Sequence, residues 1–327
     1  RLQLRLLRGR EERLLGTLAS RSAAVGRMGW EDEMGEIVGA ALVAHVPTIM
    51  LPEEVRLEIN EGKEITLVPG LHRIKTECLD RLQPDAVIVF DTHWESTFEH
   101  IVTSHERRQG KFTSHELPRG MKQIPYDMPG DPELANLIAA QAEGRDDCWI
   151  LANDDPYLPL FYGTVNIWTF LGDPKTAWLS VALNQCCDSG DFLLFGELIG
   201  KAIEQSDRRV VLLASGGMTH RFFNFKDLRK RESQKAPDNI YDRAYYDADM
   251  EVLGKFEKGD HAGVIDGMPE YRKAYPEGHF GHYLMMAGAL GGRAWTAPGE
   301  RFSEYEASVG TGQVHVWFER PEAGWTA

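Results

Sequence analysis

Short, almost unbroken apolar runs alternate along the chain with stretches whose apolar residues recur every three or four positions. The runs EIVGAALVAH (36–45), DAVIVFDTH (85–93), TAWLSVAL (176–183) and VVLLAS (210–215) predict strands buried on both faces. Residues 68–83 have helical spacing at Leu71, Ile74, Leu79 and Leu82, and Pro84 ends that helix. Residues 131–143 predict a helix with Asp131 as its N-cap and Pro132 in its first turn. Further helices are expected at 191–206, 238–258 and 260–267, and FGHYLMMAGAL (280–290) reads as an apolar helix. GQVHVWFE (312–319) alternates like a closing strand. Strand, helix and strand in succession over 36–93 make the first two strands parallel neighbours in expectation. The alternation as a whole predicts an α/β fold, a single domain with a central mixed, largely parallel sheet flanked by helices.

Composition allows a large core, as one α/β domain or two smaller ones, with 327 residues, 43% of them hydrophobic, and no Ser/Gly linker marks a second domain. A formal net charge of −14 disfavours a broad footprint on nucleic acid or an anionic membrane. No stretch reaches the roughly 20 apolar residues of a membrane span. Cys78, Cys148, Cys186 and Cys187 form no CxxC and read as reduced thiols of a cytoplasmic protein. Residues 1–34 are rich in Arg and Leu and precede the strand pattern. They are expected to be an N-terminal extension, appended, read through upstream of Met28 or Met34, or disordered. The catalytic domain is then 35–320, and 321–327 a tail.

Three of the apolar runs deliver a histidine at or just past their C-terminal ends: His45, His93 and, after the SGGMT that follows VVLLA, His220. In open α/β sheets that edge is where ligands bind, so the three imidazoles are expected in one crevice. Three histidines can make a zinc site. Two of them can instead join a carboxylate in the facial set used by non-haem Fe(II), the third being an acid/base. Glu270 in MPEY and Glu277 in YPEGHF stand in reach of that role, although Glu277, just ahead of an apolar helix, could equally serve as a helix-end charge. His72, His115 and His282 are lesser candidates for the crevice, and Arg73 and Arg221 for pairing with a substrate carboxylate. GTGQV (310–314) precedes a strand rather than a helix, which argues against a phosphate cradle. KDLRKRESQK reads as a solvated charge run.

The segments AHVPTIM, IVFDTHWE, ASGGMTHRFF, MPEYRKAYPEG and GTGQV, in this order, resemble the class III extradiol ring-cleavage dioxygenases of the protocatechuate 4,5-dioxygenase beta-subunit superfamily. Within these the single-chain 3,4-dihydroxyphenylacetate (homoprotocatechuate) 2,3-dioxygenase type is nearest, and the resemblance runs from about Gly35 to Phe318. It implies Fe(2+) held by His45, His93 and Glu277, with Glu270 as the fallback, and His220 as catalytic acid/base. Many relatives carry Asp-His-Gly-Thr in mid-chain; here the run is LFYGTV, so Tyr162 stands where those relatives place a second acid/base histidine. The implied reaction opens a catecholic ring beside the diol with O2, giving a muconic semialdehyde-type product. The substrate is 3,4-dihydroxyphenylacetate-like or a lignin-derived catechol, and the assembly a homodimer or homotetramer. A zinc hydrolase using the same histidines and a non-catalytic partner subunit are the competing readings.

Overall fold

The computed structural model describes residues 34–233 and 235–326. The expected extension over 1–34 lies, except for Met34, outside them. Twelve strands and eight main helices organise the described residues. In chain order these are β1 (Glu36–Val43), α1 (Glu53–Ile59), α2 (α-helical over Leu67–Arg73, π-helical over Ile74–Leu79, ending at Asp80–Leu82), β2 (Ala86–Ser96), β3 (His100–Thr103), β4 (Arg107–Phe112), β5 (Ile124–Pro129), α3 (Pro132–Ala140), β6 (Ile150–Asn153), α4 (Tyr162–Leu171), β7 (Ala177–Asn184), α5 (Ser189–Glu204), β8 (Arg209–Ser215), α6 (Arg243–Phe256), α7 (His261–Asp266), α8 (Gly281–Ala289), β9 (Gly299–Arg301), β10 (Glu306–Ser308), β11 (Thr311–Gln313) and β12 (Val316–Glu319).

Eight strands form one mixed sheet in the order β6-β3-β7-β2-β8-β1-β12-β9. Its centre, β7-β2-β8-β1, is parallel, and β12 and β9 add an antiparallel edge. Alternate residues of the central strands feed two separate cores, as a period of two requires. Ala40, Leu42, Ile88, Phe90, Val210 and Leu212 pack with α3, α5, α6 and α8. Ala41, Val43, Val87, Val89, Val211 and Leu213 pack on the other face with α2 and α4. This is why the strand segments read as unbroken apolar runs. Each fully buried Leu or Val contributes roughly 1.5–3 kcal/mol.

Four expectations change. β1 and β2 are not neighbours: β8 lies between them, parallel to both. A strand–helix–strand unit sets direction, but the crossover can span two strand widths, and β8 with its fully apolar interior takes the central place. The closing strand over 312–319 is two elements. Its alternation breaks at His315, whose N–H donates to Ser303 Oγ and whose Nδ1 accepts from Ala44 N. The helix expected from residue 238 starts at Arg243, where the Asp242 side chain caps Ala244 N. The short strands β3 to β6 and the helix α4 carry no strong period in the sequence and were not among the predicted elements. Asp131 does cap its helix, accepting from Leu134 N at 2.9 Å. All four cysteines are free.

Candidate metal centre

Because β2, β8 and β1 are adjacent and parallel, their C-terminal ends meet at one edge of the sheet. His45 stands two residues beyond β1. His93 is aimed by a bulge: β2 pairs with β7 at Asp91↔Ala182 and resumes at Glu95↔Leu183, so Thr92, His93 and Trp94 leave the ladder. Asp91 holds that bulge, accepting from His93 N at 2.9 Å and from Thr164 Oγ1 at 2.7 Å. Beyond β8, residues 218–220 form a second patch of extended chain. On one side Glu277 N donates to Met218 O (2.9 Å) and His220 N to Tyr275 O (2.8 Å). On the other, Met218 N donates to Gly312 O (2.9 Å) and Gly312 N to Thr219 O (2.8 Å). The segment bearing Glu277 is thereby tied to the one bearing His220. Gly278, His279 and Phe280 then take left-handed φ values of 51°, 56° and 63°, turning the chain sharply into α8.

The four side chains converge. Glu277 Oε1 lies 3.3 Å from His45 Nε2 and 3.4 Å from His93 Nε2, and Oε2 lies 3.6 Å from His220 Nε2. His45, His93 and Glu277 each offer a ligand atom within 4.8 Å of the others. Glu277 is 6% exposed, whereas the Glu270 side chain is 79% exposed and paired with Lys273. Thr92 Oγ1 and Gly217 N both donate to the Glu277 carboxylate at 2.5 Å. Burial alone would raise the Glu277 pKa, but the surrounding imidazoles of His220, His45 and His93 hold it well below the ordinary carboxylate value. It is an ionised carboxylate.

The protons on the imidazoles follow from their partners. The one hydroxyl proton of Ser215 goes to the Gly163 carbonyl (2.7 Å), so Ser215 accepts from His45 Nδ1 (2.9 Å). The lone pair of His45 is then at Nε2, facing Glu277. Asn166 Nδ2 donates to the His45 carbonyl at 2.8 Å and fixes the backbone. His93 Nδ1 meets Glu116 Oε1 at 3.2 Å, which leaves its Nε2 as the lone pair. Burial lowers the His93 pKa, and the bond to Glu116 with the charges of Glu277 and Asp91 more than reverses this. His220 shifts the other way: burial outweighs Glu277, and the neighbouring His93 and His45 lower it further. The shift favours the neutral form of His220.

Tyr162, buried at the start of α4, lies against His93 with ring centroids 3.8 Å apart and planes tilted by 36°, and meets His45 edge-on at 5.4 Å. Burial, then Glu277 and Glu116, push its phenol well above the ordinary value, so it keeps its proton. The remaining expectations divide. His72 and His115 are exposed, and Arg73 is paired with Glu77 and Glu300. His282 is fully buried beside Gly216, its pKa pushed down to about 4 by burial. Arg221 lies over the rings of Tyr241 and Tyr275 and bonds the Tyr245 hydroxyl at 2.9 Å. The glycines before His220 serve space rather than a left-handed turn. A Cβ at Gly216 would meet His282 Nε2 at 2.8 Å, and one at Gly217 would meet Gln313 Nε2 at 2.9 Å and Glu277 Oε2 at 3.1 Å.

Sequence reasoning missed Thr92, Asp91, Ser215, Glu116 and Asp249. Ser215 had a signal, a hydroxyl closing an apolar run. The others are polar residues without a period. Asp249 on α6 is fully buried and accepts from Thr219 N (3.1 Å), Tyr271 Oη (2.8 Å) and Tyr305 Oη (2.5 Å). Burial pushes its pKa up to about 7 against the pull of those donors. It joins the His220 segment, the 268–275 segment and the β10–β11 hairpin. Asp249→Ala orphans three buried donors, at about 1–3 kcal/mol each, so an urea midpoint corresponding to a loss of at least about 3 kcal/mol is expected. An unchanged midpoint would show that Asp249 is no clamp.

The sequence matches, over residues 39–319, the family described as the catalytic LigB subunit of aromatic ring-opening dioxygenase. It is 32% identical over 272 residues to 3,4-dihydroxyphenylacetate 2,3-dioxygenase of Escherichia coli, spanning 80% of this chain and 95% of that one. The beta subunit of 2-aminophenol 1,6-dioxygenase from a Pseudomonas species is 24% identical over 306 residues, 89% of this chain and 96% of that one. Among solved structures, an uncharacterized protein of Escherichia coli K12 shares the fold with a TM-score of 0.57 at 14% identity, over 86% of this chain and 99% of that one.

Proposed function

Since the chain belongs to the family of the catalytic LigB subunit of aromatic ring-opening dioxygenases, and is therefore an extradiol ring-cleavage dioxygenase, we propose that it uses Fe(II) held by His45, His93 and Glu277 to open a 3,4-dihydroxyphenylacetate-like catechol. The single observation that supports this most is the convergence of two Nε2 lone pairs and one ionised carboxylate. Two histidines and a carboxylate leave open positions and suit non-haem Fe(II); catalytic zinc can use the same donors, and the ring-opening dioxygenase family of the chain is what favours iron. His220 lies outside that converging donor group among the described residues, which weighs against an all-histidine zinc site.

The ion, when bound, supplies acidification of the diol and a common anchor for diol and O2. The chain supplies the rest. Thr92 and Gly217 N keep the Glu277 carboxylate in place. Neutral His220 takes a diol proton at Nε2 and returns it as an acid when the ring opens. Protonated Tyr162 offers its hydroxyl beside His93. Ser215 holds His45 in the tautomer a ligand needs, and Asn166 fixes its backbone. The product is a muconic semialdehyde-type chain carrying both oxygen atoms. Among the described residues no helix is long and apolar enough to cross a membrane. We place the enzyme in the cytoplasm as a homodimer or homotetramer.

The test uses anaerobically purified protein. Iron in near-stoichiometric amount is expected. Adding 3,4-dihydroxyphenylacetate and then O2 should consume one O2 per diol and yield a yellow product. Zinc in place of iron, with no O2 uptake, would overturn the iron assignment. Faster turnover of 2-aminophenol or a methylgallate would overturn the substrate while leaving the reaction class intact.

A further inference from the structure

The two histidines of the centre receive their Nδ1 partners from different kinds of structure. Ser215, which serves His45, closes a central strand and is fully buried. Glu116, which serves His93, belongs to the connection between β4 and β5, and its side chain is 41% exposed. That connection is nevertheless built. Ser114 is fully buried, and its Oγ accepts from Glu116 N (3.2 Å) and Leu117 N (3.1 Å). Ser114 N donates to Met121 O (2.9 Å), Met121 N to Leu117 O (3.0 Å), and the Met121 side chain is fully buried as an anchor. Glu116 is thus presented on a pinned turn. A carboxylate offers no proton here, so the proton between the two must sit on His93 Nδ1.

We infer that Glu116 is the positioning residue of the metal centre: by accepting from His93 Nδ1 it fixes the tautomer and ring orientation of His93 and strengthens Nε2 as a donor to the ion. The inference rests on the proposed metal centre. A ligating histidine whose outer nitrogen is bonded to a carboxylate is a better donor than one bonded to water, because the negative charge stabilises the positive character that the ring gains on binding. The two ligands then differ in control. The His45 tautomer depends on the buried sheet. That of His93 depends on a turn at the surface, so changes there reach the ion without altering any residue that touches it. His115 Nε2, 3.7 Å from the same Glu116 oxygen and on an exposed side chain, is a weaker competitor for that carboxylate.

The experiment measures Fe(II) affinity of the full chain anaerobically, by competition with a chromophoric chelator, for the parent, Glu116→Ala, Glu116→Gln and His93→Ala. Thermal unfolding of each metal-free protein is recorded alongside. Loss of an outer-shell partner typically weakens metal binding 10–100-fold, so a drop of ~10–100-fold is expected for Glu116→Ala. Glu116→Gln, which keeps an acceptor oxygen but not the charge, should fall between it and the parent. The metal-free Tm of both Glu116 variants should match the parent's, since the side chain is half exposed. Parent-like Fe(II) affinity in Glu116→Ala, with affinity lost in His93→Ala, overturns the inference and leaves the centre standing. Parent-like affinity in His93→Ala overturns the centre itself. A lower metal-free Tm in Glu116→Ala with unchanged affinity assigns Glu116 to packing and also overturns the inference.

Discussion

Glu277→Gln abolishes tight Fe(II) binding and with it ring cleavage, whereas Glu270→Ala leaves both as in the parent. The expectation follows from what each carboxylate touches. Glu277 is buried among three imidazoles and two hydrogen-bond donors. Gln keeps the shape, but its amide has one acceptor oxygen, one NH2 and no charge, so it leaves the ion with two neutral ligands. Outer partners alone are worth 10–100-fold in affinity, so loss of a charged ligand should cost more than ~10²-fold. The variant should remain folded: a neutral amide is easier to bury than a carboxylate, and Thr92 and Gly217 N keep one acceptor. Glu270 is a surface residue paired with Lys273, an exposed ion pair of the kind that contributes about 0–1 kcal/mol. Iron content by metal analysis, together with O2 uptake, decides the matter. If Glu270→Ala lost iron and Glu277→Gln retained it, the carboxylate would be assigned to the wrong residue.

His220→Phe separates chemistry from metal binding. Its imidazole faces the second oxygen of Glu277 rather than the point where the other donors meet, so the variant should hold iron and bind catechol normally. General acid–base groups contribute ~10²–10⁴-fold in rate, and a fall in kcat of at least ~10²-fold is expected. The pH profile carries an independent signature. As a base His220 must be neutral, and burial lowers its pKa despite Glu277. Activity of the parent should therefore be lost on acidification only below the ordinary histidine range. In His220→Phe that acid limb should vanish. A variant that lost iron would make His220 a ligand, and one that made yellow product at the parent rate would leave it a packing residue.

Much of this arrangement is legible in the chain. The unbroken burial of Ala40 to Val43, or of Val210 to Leu213, with alternate residues in the two cores, requires a strand covered on both sides, and that implies a parallel α/β sheet. Parallel strands share an edge for their C-terminal ends, so the local pattern places His45, His93 and His220 towards one edge of the sheet. The motif resemblance adds the carboxylate and the reaction class, and the family match over residues 39–319 agrees with the reaction class.

The neighbours of those residues are another matter. The strand order could not be read because a crossover fixes direction without fixing the distance it spans, and so β8 came to lie between β1 and β2. Thr92 reaches a carboxylate 185 positions away, Ser215 an imidazole 170 positions away, and Asp249 a backbone amide 30 positions away. Glu116 meets His93 only because a hairpin outside the main sheet folds back over the bulge in β2. Local periodicity records which face of an element is buried, because burial repeats with the element's own geometry. Tautomers, ligand charge and the space denied to a Cβ at Gly217 are set by partners distant in sequence, and those partners exist only once the tertiary structure has brought them within hydrogen-bond reach.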